Sequence, residues 1–241
     1  PHDPPLRREL GVGARQSERD PQRIAFADVR RRRAGQTDAG GADVYGPAIL
    51  TAGDPFTARN GTPYYLKPLR LPELLSQPQA TQAVRDHIAA GADAVKLHAG
   101  AILDRVRDVR VALSRDLVRA VTTEAHRLGV PVLAHPQYLD GLSASVDGGV
   151  DVILHVTELM ERWPPELLAR AVTQGVALVP TLKLLAGTEA TAKQAALLQQ
   201  VREYRAAGGV ILFGTDVGFS PDYNPEDEYL LMQQAGMNGL D

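Results

Sequence analysis

The sequence has no cysteine among its 241 residues. That excludes disulfides, thiolate metal ligands and a cysteine nucleophile. Any bound metal must be held by His, Asp, Glu or a modified Lys, a donor set that suits zinc, manganese, iron or similar ions. No apolar run approaches the ~18 residues of a membrane span, and no signal peptide is visible. The latter leans toward a cytoplasmic protein, although the chain opens on Pro1 and its natural start is expected upstream. No strong charge of either sign is present. A formal net charge of -3 gives no electrostatic reason to expect nucleic acid or an anionic membrane as partner. Nor does a G-x-G-x-x-G follow any β-rich run, which removes support for a dinucleotide fold.

What is present is an alternation. From about residue 42 onward, short β-rich runs at 43–50, 94–97, 130–135, 151–155, 176–181 and 210–214 are separated by helical patterns at 79–90, 114–128, 143–147, 165–174 and 191–207. The runs are continuously apolar, as in strands buried on both faces. A glycine closes most helices before the next strand: Gly91, Gly129, Gly149, Gly175 and the pair at 208–209. This rhythm predicts right-handed βαβ units in a parallel sheet. An open doubly wound sheet and a closed barrel both fit it. The polar residues favour a barrel, because Lys96, His135, His155, Thr181 and Asp216 fall at or just past strand C-terminal ends, which in a barrel converge on one face. Six strands are expected, about two short of a complete eight.

Residues 1–41 do not share the rhythm. Their first 40 hold nine Arg, including the run at 30–33, and read as an irregular, Arg-rich lead-in to a domain spanning 42–241.

The site candidates are Lys96, His135, His155 and Asp216. Taken singly, each has an ordinary reading. Lys96 could serve a structural ion pair, form a Schiff base with a carbonyl substrate, or be carbamylated to a metal-bridging carboxylate. His135 and His155 are each more often hydrogen-bonded structural residues than ligands. As a pair they say more: they end successive strands 20 residues apart, and neighbouring strands lie about 5 Å apart, so both imidazoles can reach one ion. Asp216 reads as a helix cap or as a metal-bound carboxylate that takes a proton from an activated water. His98 is expected one alternation away from Lys96, as an indirect or surface residue, and His87 and His126 on helix surfaces. Glu158 is divided between substrate contact and capping. Trp163 and Tyr204 read as core.

The order of these motifs resembles the amidohydrolase superfamily, in its imidazolonepropionase-like and prolidase-like branch. The segments carrying the likeness are GADAVKLHAG (91–100), GVPVLAHPQ (129–137), GVDVILHVTE (149–158), GVALVPTL (175–182) and GVILFGTDVG (209–218), with GPAILTAGDPFT (46–57) similar to a third strand and its loop and the tail from Leu230 similar to the helix after the last strand. The resemblance implies an α/β fold, a (β/α)8 TIM-like barrel. Here it is partial, lacking the first strand or strands and the family's flanking β-sandwich. It implies that Lys96 is carbamylated and bridges two divalent ions, preferably zinc. His135 and His155 would hold one ion, and Asp216 would hold the other and act as general base. The reaction implied is attack of activated water on an amide, ester or cyclic amide of a small molecule.

Two departures stand out. The family's first-strand His-x-His is absent, since no two histidines here are separated by one residue. That leaves at most four of the six ligand groups, one or two bound ions, and an expectation of impaired activity. The tyrosine usual two residues after the fifth-strand histidine is Gln137 here, with Tyr138 next, which sets dipeptide-carboxylate recognition apart from this chain. Two rivals remain: a Schiff-base lyase or aldolase using Lys96, and a non-catalytic remnant whose unpaired strand edges favour a homo-oligomer.

Overall fold

A computed structural model describes residues 50–187 and 191–238. The lead-in at 1–41 and all but the last residue of the run at 43–50 lie outside the described residues. Seven strands form one sheet: β1 (Phe56–Thr57), β2 (Val95–Asp104), β3 (Val109–Ala112), β4 (Val132–Pro136), β5 (Val152–Leu154), β6 (Ala177–Val179) and β7 (Val210–Ile211). The order is β1-β2-β4-β5-β6-β7, every neighbouring pair parallel, with β3 antiparallel to β2. Helices α1 (Gln77–Ala89), α2 (Arg115–Arg127), α3 (Leu139–Gly148), α4 (Pro165–Thr173), α5 (Leu182–Ala186) and α6 (Ala192–Ala206) fill the crossovers, and α7 (Glu226–Gln234) follows β7. This is the partial barrel the alternation predicts, and among the described residues it stays open between β1 and β7. No helix among them is long and apolar enough to cross a membrane.

Local chemistry starts the helices where the apolar period begins. The Ser76, Ser114 and Thr191 hydroxyls accept from the backbone N–H of Gln79, Leu117 and Gln194, each satisfying a donor that has no partner inside its helix. Gly149 ends α3 at φ 86°, a left-handed conformation that returns the chain to β5 without a Cβ penalty. The core lies between sheet and helices, built on residues such as Leu97, Val132, Ile153 and Leu178 from the strands and Val84, Val121, Leu142 and Val201 from the helices. The Tyr204 hydroxyl is satisfied there by donating to the Val176 carbonyl at 2.5 Å.

Two elements differ from expectation. The strand expected at 94–97 runs on to Asp104, because Ala99, Ala101 and Ile102 remain apolar and buried. It then turns back into β3, with the Asp104 carboxylate accepting from the N–H groups of Val106 and Arg107 and Asp108 at φ 52°. Such a side-chain-made turn has no hydrophobic period to reveal it. The run at 210–214 is a strand only over two residues, after which the chain leaves the sheet toward Asp216.

The seat of β2 depends on a close approach to α3. A Cβ added to Gly141 would lie 2.7 Å from the Cα and N of Gly100, backbone atoms that cannot yield. Gly141→Ala should therefore destabilise the chain by about 1–3 kcal/mol through overpacking, read as a lower urea midpoint at unchanged m-value. An unchanged midpoint would show that α3 can ride outward freely.

Candidate active site

Parallel register sets the site. Lys96 pairs with Leu133 and Leu97 with Ala134 across β2 and β4, while Leu133 and Ala134 pair with Val152 and Ile153 across to β5. Following this register upward brings His98 beside His135, and His135 toward His155. The ring centroids stand 4.9 Å apart for His98 and His135 and 4.4 Å apart for His135 and His155. Lys96, His98, His135, His155 and Asp216 all line one cavity of about 250 Å³ at the C-terminal ends of the strands. The four residues singled out in the sequence are thus brought together.

His98 corrects its expectation. Side chains two apart on a strand share a face, so His98 follows Lys96 into the cavity, where it is 2% exposed. Period two in the sequence carried that signal. His126 is half-exposed and paired with Asp151 at 2.9 Å, and His87 meets the Ala52 carbonyl at 2.6 Å; neither reaches the cavity.

Several of these residues sit on unusual backbone. Among the described residues five non-glycine residues have positive φ, and three of them are His155 (73°), Thr181 (46°) and Asp216 (55°). The other two, Asn60 and Asp108, belong to types that tolerate this region. Histidine and aspartate share that tolerance, whereas a β-branched threonine held there is strained, and such strain gathers at functional sites. For His155 the restraint is visible. Its N–H donates to Val179 O at 2.7 Å, and its Nδ1 meets the Thr181 hydroxyl. That hydroxyl spends its proton on the Pro180 carbonyl at 2.8 Å, so toward the ring it can only accept. Nδ1 therefore carries the proton, and Nε2, buried and without a partner, presents its lone pair.

Burial dominates the electrostatics. It pushes Lys96 below the ordinary lysine range against the pull of Asp216, and it pushes Asp216 above the ordinary aspartate range against the pull of Lys96. His155 is lowered to about 3 by burial and by Lys96, and His98 and His135 are held well below 6.5, first by burial and then by Lys96 and the neighbouring imidazoles. All three imidazoles are neutral at neutral pH.

Three further residues shape the mouth. The Tyr65 hydroxyl is buried without a partner, and burial, Asp216 and Glu158 all oppose its ionisation, so it remains a donor. Glu158 pairs with Arg105 at 2.9 Å and Lys193 at 2.8 Å. Its loop is tied down by buried Gln200, which accepts from Thr157 N and donates to the Thr157 and Met160 carbonyls. Gln137 turns its amide oxygen to Ile102 N at 2.7 Å, a backbone duty. Sequence reasoning had no handle on Tyr65, which arrives on a 3-10 turn (Tyr64–Leu66).

Among the described residues, no three His, Asp or Glu side chains stand closed around one point where an ion could sit. An unmodified lysine contributes nothing to such a set, whereas its carbamate would supply a carboxylate beside His135 and His155. The unpartnered lone pair of His155 and the all N/O donor set fit a divalent cation.

No family model matches the chain. Over 181 residues it is 28% identical to an uncharacterized protein of Mycobacterium tuberculosis, an alignment covering 68% of this chain and 48% of that protein. The chain thus spans about half the length of the curated relatives it matches. Among solved structures it is similar to the ochratoxinase of A. niger, with TM-score 0.63 and 21% identity over 82% of this chain and 52% of that one. It is also similar to a Xaa-Pro dipeptidase with methionine bound in its active site, with TM-score 0.63 and 20% identity over 80% and 54%. At 20–21% identity the likeness to these two structures shows a shared fold.

The buried neutral imidazoles make folding acid-sensitive. Their folded-state pKa values lie below the ordinary 6.5, that of His155 at about 3, so the unfolded chain binds more protons in between. Stability is full above about pH 6.5 and is lost as pH falls through this window. Each histidine contributes a slope of about 1.4 kcal/mol per pH unit. Asp216, raised by burial, works in the opposite sense above 3.8 but is a single group. Urea midpoints of the metal-free chain should fall steadily from about pH 7 to about pH 5; a flat profile would contradict burial of the neutral rings.

Proposed function

We propose that this chain carries the catalytic face of a metal-dependent hydrolase of amide, cyclic amide or other acyl bonds, with Lys96, His135, His155 and Asp216 as its working residues. The observation that carries the reading is the convergence of these four on one cavity at the strand C-termini, with the lone pair of His155 left open. The similarity to an ochratoxinase and a Xaa-Pro dipeptidase supports the same class.

In this reading His135 and His155 hold a divalent cation, preferably zinc, together with a carbamylated Lys96; Asp216 belongs to the same centre. Burial keeps Lys96 closer to the neutral amine, the form whose nitrogen adds to carbon dioxide, forming an N–C bond and releasing one proton. A bound ion would lower the pKa of water to about 7 and polarise the substrate carbonyl. Asp216 takes the proton of the attacking water on its carboxylate and returns it to the leaving nitrogen. Tyr65 offers its unpartnered hydroxyl to a polar group of the substrate, while Phe219, Leu184 and Leu185 give the cavity an apolar wall.

The test is metal content and turnover of the purified chain, reconstituted with zinc and bicarbonate and assayed on amide, ester and cyclic-amide substrates. About one ion per chain is expected, with hydrolysis abolished by chelation and Asp216→Asn lowering kcat by roughly 10²–10⁴-fold. A chain that binds no ion under these conditions overturns the reading.

A neutral Lys96 amine also suits a Schiff base. Borohydride with a carbonyl substrate should leave Lys96 unlabelled; covalent trapping at Lys96 would favour the lyase instead.

A further inference from the structure

The cavity contains one imidazole that the reading above does not use. His98 lies on β2 two residues beyond Lys96, 2% exposed, with its ring 4.9 Å from that of His135. Neither of its ring nitrogens has a hydrogen-bond partner among the described residues. A neutral imidazole offers one donor and one acceptor, and burying both unsatisfied is costly. A leucine at this position would fill the space without that cost. His155, by comparison, has one nitrogen tied to Thr181 and only Nε2 open.

We infer that His98 is a third imidazole ligand, holding a divalent cation together with His135 and His155. His98 lies on β2, His135 on β4 and His155 just past the end of β5, three adjacent parallel strands, and their rings follow one another at 4.9 and 4.4 Å. As they stand the three rings do not close around one point, so binding requires the His98 ring, which no hydrogen bond among the described residues fixes, to turn about χ2, a broad torsion. Three neutral imidazoles with an open fourth position form a donor set suited to zinc and its spectroscopic substitute cobalt. Such a site can assemble without carbamylation of Lys96, and it uses a histidine outside the ligand set that the family resemblance implies. The inference rests on the proposal that this cavity binds a divalent cation.

The test is titration of the full metal-free chain with Co²⁺ near neutral pH without bicarbonate, read by equilibrium dialysis and visible absorption, on the wild type and on His98→Gln and His98→Leu. The wild type should bind about one ion with a tetrahedral cobalt spectrum. Both variants should bind at least about 100-fold more weakly, the upper end for losing an indirect partner of a ligand, with altered bands. Metal-free His98→Leu should melt at or above the wild type, since it removes two unsatisfied nitrogens, whereas a histidine kept only for packing would melt lower when replaced. Variants that bind cobalt like the wild type overturn the role of His98 and leave the hydrolase reading standing. A wild type that binds cobalt only when bicarbonate is added overturns the three-imidazole site in favour of the carbamate set. A wild type that binds no ion under either condition overturns both.

Discussion

The register of three parallel strands governs everything at this site. Because β2, β4 and β5 are hydrogen-bonded as direct neighbours, residues at equal height stand about 5 Å apart. His98 and His135 therefore meet near one level, with His155 beside them and Lys96 two residues deeper on β2. A slip of one residue in any of the strands would turn its polar side chain out of the barrel mouth and an apolar one in. The alternation that buries Leu97 and Ala134 on the helix side is the same alternation that faces Lys96 and His135 to the cavity, so core packing and site geometry are one constraint.

A second layer holds what the strands alone do not. α5 begins where Thr181, in left-handed conformation, grips His155. The next two amides, those of Leu182 and Lys183, donate to the buried carboxylate of Glu228 in α7 at 2.9 and 2.7 Å. Lys183 then reaches the Asn224 carbonyl, Asp222 and Asp227. One helical turn thus fastens His155 on one side and the segment following Asp216 on the other. The positive φ of the β-branched Thr181 is sustained by these bonds rather than by its own preference.

How much of this the sequence disclosed follows from which residues carry a periodic or positional signal. The five strands from β2 to β7 that carry the barrel announced themselves as unbroken apolar runs ending in polar residues, and the glycines between marked the returns. Lys96, His135, His155 and Asp216 were legible because each closes such a run. His98 was legible too, by the rule that alternate residues share a face, and was misplaced by an error of parity. β3 and the Asp104 turn were not legible: a turn built by one carboxylate on two amides leaves no pattern in hydrophobicity. Tyr65 and Thr181 gained their roles only through tertiary contact, one on a 3-10 turn far from any motif and the other through a hydroxyl whose proton is spent on its neighbour's carbonyl.

The energetic logic of the cavity turns on how much polarity it buries without satisfying. Burial drives Lys96 and Asp216 each toward its neutral form, while their mutual attraction pulls both back toward charge. The imidazoles have only the first option and are neutral. Neutrality removes the cost of a buried cation but not that of the unpartnered nitrogens on His98 and His155 or of the Tyr65 hydroxyl. A core selected for stability alone would have replaced these groups with apolar ones of similar volume. Their presence together in one cavity makes sense if a bound species supplies what is missing: an electron-pair acceptor for the ring nitrogens and an acceptor for the phenol. A cation beside a polar substrate provides both at once.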